Sequence, residues 1–322
     1  MNDIIEKVLQ GDVRSAARLI RDLDDGAPQA RAYLKELFPH AGKAYVLGIT
    51  GSPGVGKSTL TDSLVTLLRK AGKTVGVLAV DPTSPFTGGA ILGDRVRMQR
   101  HSTDEGVFIR SMATRGQFGG LTQATRAAIT VLDAMGKDVV IVETVGVGQD
   151  EVDIARTAHT TIIVCVPGLG DDIQAIKAGI LEVGDVFVVN KADRDGADRT
   201  VQDLRNMLEM SQDSNLGRKD WPPPILKAVA NRSEGVEDIW KAVESHREFL
   251  AQNQSEYYRR LHRMNQKMEL IDLIKQGVVD RVLRDLEANG QLDRYVDDLV
   301  ENRTDPYSLS EDILNRFFNH TD

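Results

Sequence analysis

A glycine-rich segment has the residue types and spacing that phosphate binding requires. Glycine lets backbone N–H groups turn towards a phosphate without obstruction by a Cβ atom. The lysine that follows can reach the β- and γ-phosphates of a nucleotide, and the next serine hydroxyl is a suitable oxygen ligand for Mg²⁺. We therefore predict a nucleotide phosphate site, with Lys57 in a catalytic role and Ser58 as a metal ligand. Its residues are Gly51, Ser52, Pro53, Gly54, Val55, Gly56, Lys57, Ser58 and Thr59.

Carboxylates beyond this segment could complete a magnesium site. Asp81 and Glu143 each end an apolar segment, and the carboxyl ends of parallel strands open into a ligand crevice. Asp94 follows a glycine-rich loop; it is a further candidate ligand, and its position also suits a helix N-cap. The Gly146 N–H, three residues after Glu143, is suited to sensing a γ-phosphate. We predict a metal set of Ser58, Asp81, Asp94 and Glu143, and hydrolytic roles for Asp94, Glu143 and Gly146.

A second motif predicts which base the site accepts. An apolar segment runs into Asn190, Lys191 and, one residue further on, Asp193. One carboxylate at Asp193 can accept hydrogen bonds from guanine N1–H and from its 2-amino group, whereas adenine offers neither donor, so ATP should be rejected by about 10⁴-fold. Lys191 should lie along the base, and Asn190 should join the two loops. The backbone N–H groups of residues 228–230 could cap guanine O6; these are Ala228, Val229 and Ala230.

The surrounding pattern predicts the elements that position these residues. Strands are expected at 45–50, 74–80, 107–110, 139–143, 161–166, 186–190 and 225–229, with helices at 60–70, 122–135 and 173–183 between several of them. Strands that alternate with helices indicate a parallel sheet covered on both faces. The predicted fold class is α/β: a doubly wound, mostly parallel P-loop core. Its expected parts are an N-terminal helical segment (1–44), a nucleotide domain (45–250) and a C-terminal helical arm (251–322).

Composition limits the function classes. The net charge of −8 argues against nonspecific nucleic-acid binding, which needs a concentrated basic face. No apolar stretch has the roughly 18 residues that a membrane helix requires, and the N-terminus has no signal-peptide pattern. The single cysteine, Cys165, lies in an apolar run and is expected to be a core residue. We expect a cytoplasmic protein that binds neither nucleic acid nor membrane.

Five longer segments together resemble the MeaB/ArgK GTPases, relatives of the methylmalonic aciduria type A protein. The resemblance covers the whole chain and is most specific between residues 48 and 193. Small departures occur at Ala113, Gln117, Phe118 and Asp150, none of which is among the nucleotide-binding residues named above. The segments that carry the resemblance are 51–59, 81–98, 110–116, 143–149 and 166–177.

The resemblance implies a magnesium-dependent GTPase that escorts an adenosylcobalamin-dependent methylmalonyl-CoA mutase. Such a protein gates cofactor loading, protects the mutase from inactivation, and hydrolyses GTP to GDP slowly until its partner accelerates it. The resemblance also implies that Asp171 and Lys177 couple the nucleotide state to the mutase. It favours a homodimer formed by the C-terminal arm, whose apolar stripe could otherwise pack on its own nucleotide domain. That stripe comprises Tyr257, Leu261, Met264, Met268, Ile271 and Ile274.

Other functions remain open at this stage. An older label of the family implies a P-loop kinase linked to arginine and ornithine transport, and Asp193 argues against it because a kinase usually takes ATP. The client could also be a different acyl-CoA mutase. A third possibility is a regulatory module that binds nucleotide with negligible turnover, which single-turnover GTP hydrolysis would distinguish.

Overall fold

Seven parallel strands form one sheet in the order β3-β2-β4-β1-β5-β6-β7. The computed structural model describes residues 3–81, 98–113, 123–144, 150–168, 183–212, 221–252 and 256–318. Every strand pair within these residues is parallel, which confirms the predicted α/β class. The strands are β1 (Tyr45–Thr50), β2 (Val75–Asp81), β3 (Val107–Ala113), β4 (Val139–Thr144), β5 (Thr160–Cys165), β6 (Val186–Val189) and β7 (Ile225–Lys227).

Helices cover both faces of this sheet. Those before the second half of the chain are α1 (Asp3–Leu9), α2 (Val13–Asp24), α3 (Pro28–Leu37), α4 (Lys57–Lys70), α5 (Gln123–Ala134) and α6 (Asp150–Thr157). The later ones are α7 (Ala197–Gln212), α8 (Val236–Gln252), α9 (Glu256–Ala288), α10 (Gln291–Val300) and α11 (Pro306–Phe318). Successive strand residues point to opposite faces, so Leu47 packs with α4 and α8 while Val46 packs with α1, α2, α3 and α5. The sheet is therefore doubly wound.

Strand sequences explain why the sheet is buried on both sides. All residues of β1, β4, β5 and β6 are buried, and their near-continuous apolar runs are typical of central parallel strands. The α7 helix packs on the β5–β6 region through Leu204 and Leu208. The central strands thus fix the edge at which their carboxyl ends meet.

The observed ends of two strands differ from the predicted ones because contacts with other segments lengthen one strand and shorten the other. The β3 strand continues to Ala113 because it stays paired with β2 as far as Asp81. The β7 strand ends at Lys227, since Val229 instead forms an antiparallel bridge with Glu234. The α4 helix begins at Lys57. The predicted helix at 173–183 falls almost entirely outside the described residues.

The chain divides into two compact units, Met1–Tyr258 and Arg259–Asp322. The second unit is helical and has several exposed large apolar side chains. These include Met264, Leu270, Ile274, Val300, Tyr307 and Phe318. Within the described part of the chain, no helix combines the length and the apolar character needed to cross a membrane.

Candidate functional site

The loop between β1 and α4 has a backbone that only glycine adopts readily. Gly54 and Gly56 have φ values of +79° and +93°, in the left-handed region that disfavours other residues. A Cβ atom on Gly56 would lie 2.5 Å from Asn190 Nδ2, so a larger residue would also separate this loop from the base motif. The loop leads into the N-terminus of α4, where N–H groups and the helix dipole favour an anion.

Lys57 is the first residue of α4, and its side chain turns back over the loop. Its Nζ donates hydrogen bonds to the carbonyl oxygens of Gly51 at 2.6 Å and Ser52 at 3.0 Å, and the residue is only 6% exposed. A buried ammonium must be paired, and these carbonyl bonds hold the charge at the loop centre. Phosphate oxygens at this position would offer stronger, charge-assisted bonds.

Glu143 lies beside the loop because β4 is the neighbour of β1. Glu143 is in register with Ile49 of β1 and with Ala79 of β2. The residue is 3% exposed. The Ser58 hydroxyl donates to Glu143 Oε1 at 2.6 Å. The predicted pair of Ser58 and Glu143 is therefore in direct contact within a buried environment.

The donor chemistry of this pair fits Mg²⁺, which prefers oxygen ligands. A hydroxyl and a carboxylate lie together next to the phosphate loop, and Asp81 ends β2 at the same edge of the sheet. Among the described residues no group of three or more His, Cys, Asp or Glu side chains could hold a metal by itself. Asp94 and Gly146 lie outside the described residues, so their predicted roles remain predictions.

Asn190 joins the phosphate loop to the base loop. It follows β6 directly, its Nδ2 donates to the Val55 carbonyl at 2.8 Å, and its Oδ1 accepts from the Ala230 N–H at 3.1 Å. Lys191 adopts φ +56°, a left-handed conformation that is uncommon for a non-glycine residue. Its Nζ donates to the Gly54 carbonyl at 2.6 Å. Both side chains thus bridge the motifs predicted to bind phosphate and base.

Asp193 lies at the more open side of this edge. Its side chain is 37% exposed, and Oδ2 lies 3.7 Å from a guanidinium nitrogen of Arg232, whose side chain is 59% exposed. Such an exposed pair holds its partners weakly. The carboxylate is therefore accessible to a base that carries hydrogen-bond donors.

Residues 228–230 form the turn next to Asn190, and all three backbone N–H groups have acceptors inside the protein. Ala228 N donates to Val189 O and Val229 N to Glu234 O, both at 3.0 Å, while Ala230 N donates to Asn190. Capping of guanine O6 by these groups stays a prediction, and it requires at least one of them to share or exchange its acceptor. The turn is tied to α4 by the Ser63 hydroxyl, which donates to Ala230 O at 2.8 Å.

Three contacts of this site are absent from the sequence prediction: Thr61 with Glu143, Ser63 with Ala230, and Arg232 with Asp193. Thr61 could have been found from its spacing, because residues three apart share a helix face and Ser58 was already a candidate. No local pattern indicates the other two, since both depend on how the turn after β7 folds. The predicted coupling residues Asp171 and Lys177 lie outside the described residues.

Known proteins resemble this chain over nearly its full length. A family described as the methylmalonyl-CoA mutase-associated GTPase MeaB matches residues 17–287. A Pyrococcus abyssi protein with a provisional GTPase name is 48% identical, covering 98% of this chain and 96% of its own. The GTPase ArgK of Escherichia coli is 35% identical, covering 98% and 97%. A solved structure described as the LAO/AO transport system kinase aligns with a TM-score of 0.67 at 27% identity, covering 98% and 99%. The chain belongs to the MeaB/ArgK family of GTPases and binds guanine nucleotides.

Proposed function

We propose that this chain is a magnesium-dependent GTPase that acts as a chaperone for an adenosylcobalamin-dependent methylmalonyl-CoA mutase. The observation that carries the proposal is the match to a mutase-associated GTPase family across residues 17–287, which span every motif of the site. In this role GTP hydrolysis gates cofactor loading and protects the mutase from inactivation. Methylmalonyl-CoA mutase is the proposed partner, and a different acyl-CoA mutase is the alternative partner.

The site has a phosphate-binding half and a base-binding half, and each has a part in this reaction. Loop amides and Lys57 bind the phosphates, and Asp193 accepts the two guanine donors. Ser58, Asp81, Asp94 and Glu143 would hold Mg²⁺, which neutralises charge that develops on the phosphate oxygens. Water attacks the γ-phosphorus, the bond between that phosphorus and the β–γ bridging oxygen breaks, and GDP and phosphate leave. The Gly146 N–H is proposed to sense loss of the γ-phosphate.

A mutase titration tests the proposal. Steady-state GTP hydrolysis should rise as methylmalonyl-CoA mutase is added and should reach a plateau when the complex is saturated. Lys177→Ala should keep the basal rate and lose the acceleration, because Lys177 and Asp171 are proposed to act on the partner rather than on GTP. A basal rate that mutase leaves unchanged would contradict the chaperone role, and full stimulation of Lys177→Ala would contradict only the coupling residue.

A kinase is the alternative function, and the observation in its favour is the description of the similar solved structure as a transport system kinase. A kinase would move the γ-phosphoryl group to an acceptor rather than to water. With GTP labelled at the γ-phosphate, the GTPase proposal predicts that the label appears as inorganic phosphate, whether or not arginine or ornithine is present. Label on a protein or an amino acid would support the kinase instead.

The second unit is proposed to form a homodimer. Its exposed apolar side chains, among them Ile274 at 55% and Met264 at 52% exposure, are of the kind that protein interfaces bury. Removal of the chain after Gln252 should convert the dimer into a monomer that still binds GDP. Light scattering checks the mass, and a truncated protein that remains dimeric would contradict this assignment.

A further inference from the structure

The carboxylate of Glu143 is bonded from α4 through both of its oxygens. The Ser58 hydroxyl lies 2.6 Å from Oε1, and the Thr61 hydroxyl lies 2.9 Å from Oε2. Thr61 is fully buried, at 0% exposure, and Glu143 is 3% exposed. The two hydroxyls are three residues apart on the helix, so one face of α4 presents both to the end of β4.

Thr61 has a choice of acceptors. Its hydroxyl also lies 3.0 Å from the Lys57 carbonyl, the usual partner of a helical threonine, and it has one proton to donate. The contact with Glu143 Oε2 is the shorter of the two, so we assign the hydroxyl proton to Glu143. The helix carbonyl keeps its backbone bond and loses little.

A glutamate at this place needs a second bonding partner more than an aspartate would. Its side chain has one more methylene group and one more rotatable bond, so more hydrogen bonds are needed to fix the orientation of its carboxylate. A bond at each oxygen fixes the carboxylate plane. A carboxylate that is fixed before Mg²⁺ binds does not have to be ordered when the ion arrives.

We propose that Thr61 is a positioning residue that orients Glu143 for the magnesium–nucleotide complex. The inference rests on the proposed magnesium-dependent site and assigns to it a residue that does not touch the nucleotide. Partners that orient metal-binding groups typically contribute about 10–100-fold to metal affinity. Loss of the Thr61 hydroxyl should therefore weaken magnesium binding by about 10-fold or more.

The experiment measures retention of a fluorescent GDP analogue as free Mg²⁺ is varied with EDTA, in the full-length protein. Thr61→Val removes the hydroxyl at nearly constant volume, and Thr61→Ser keeps it. Thr66→Val is the matched control, because the Thr66 hydroxyl makes the same bond to a helix carbonyl, that of Asp62 at 2.9 Å. The Thr66 hydroxyl also lies 3.5 Å from His101 Nε2.

We expect Thr61→Val to shift the magnesium midpoint by about 10-fold while leaving GDP affinity in EDTA unchanged. Thr61→Ser and Thr66→Val should match the wild type. An unshifted midpoint, or an equal loss of GDP with and without Mg²⁺, would overturn the inference. If Thr61→Val does not fold, Thr61→Ala removes the same hydroxyl. It should show the same shift of the magnesium midpoint and the same unchanged GDP affinity in EDTA. A wild-type protein whose GDP retention ignores Mg²⁺ would instead contradict the proposed magnesium site.

Discussion

The two halves of the candidate site differ in how much of them is buried. Lys57, Ser58 and Glu143 on the phosphate side are 6%, 7% and 3% exposed, and each is already bonded to the protein. Asp193 on the base side is 37% exposed. The phosphate half is thus pre-organised, whereas on the base side the Asp193 carboxylate is expected to gain its full set of bonds only when guanine binds. Affinity for the nucleotide should therefore depend mainly on the phosphate half, and selectivity for guanine should depend mainly on the base half.

Lys57→Ala should have the largest effect. Charge-assisted hydrogen bonds contribute about 1.5–3 kcal/mol each, so losing the two bonds to the β- and γ-phosphates should weaken binding of a GTP analogue by about 10²–10⁴-fold. Binding of guanosine, which has no phosphate, should change little. Lys70→Ala at the exposed end of α4 is the control. Calorimetry measures both ligands, and an equal loss for guanosine would show that the two halves are not separable.

Asp193→Asn should change selectivity more than affinity. The amide can donate where the carboxylate accepted, so GDP binding should fall by about 10²-fold and xanthosine diphosphate, whose 2-oxo group accepts a bond, should bind better than GDP. Asp195→Asn removes the same charge two residues away and should retain the preference for GDP. Competition against a fluorescent GDP analogue measures both. An unchanged preference in Asp193→Asn would remove this residue from base recognition.

Asn190→Ala should affect both halves together. It leaves the Val55 carbonyl and the Ala230 N–H without their side-chain partner, and each unsatisfied buried group costs about 1–3 kcal/mol. We expect GDP to bind about 10-fold more weakly or worse, with a lower unfolding temperature. Asn206→Ala on α7 is the control, because its bond to Gln202 is exposed. Wild-type affinity in Asn190→Ala would show that the two loops hold their places independently.

Arg232→Ala should have the smallest effect. Its contact with Asp193 is 3.7 Å long and exposed on both sides, and such pairs rarely contribute more than about 1 kcal/mol. GDP affinity should stay within about 5-fold of the wild type, as it should in Lys241→Ala, which removes another exposed ion pair. A much larger loss, measured by calorimetry, would place Arg232 in the base site and narrow the contrast between the halves.

Most of the fold could be predicted from the sequence because central parallel strands carry an unusually clear signal. Nearly continuous apolar runs such as 45–50 and 186–189 are typical of strands buried on both faces, and the motif residues follow them directly. The ends of elements were less predictable, since tertiary partners decide them. The β3 strand gains three residues by pairing with β2, and β7 loses two to a bridge between Val229 and Glu234.

The site was predictable where chemistry is encoded locally. Lys57 and Ser58 are adjacent in sequence, and Asn190, Lys191 and Asp193 follow one strand. Contacts between distant segments were not predictable, because they depend on side-chain geometry: Ser63 reaches Ala230 across 167 positions. The sequence also could not predict that the backbone N–H groups of residues 228–230 already have acceptors inside the protein, because those acceptors lie in other segments of the chain.

The most direct test of the account is the affinity of the wild-type protein for GTP and ATP, measured by calorimetry with saturating Mg²⁺ and non-hydrolysable analogues. Both nucleotides present the same phosphates to the loop and Lys57, so any difference arises at the base. The account predicts that the GTP analogue binds about 10⁴-fold more tightly, as expected where a carboxylate requires hydrogen-bond donors that adenine lacks. Equal affinities would contradict the assignment of base recognition to Asp193 and the division between the two halves.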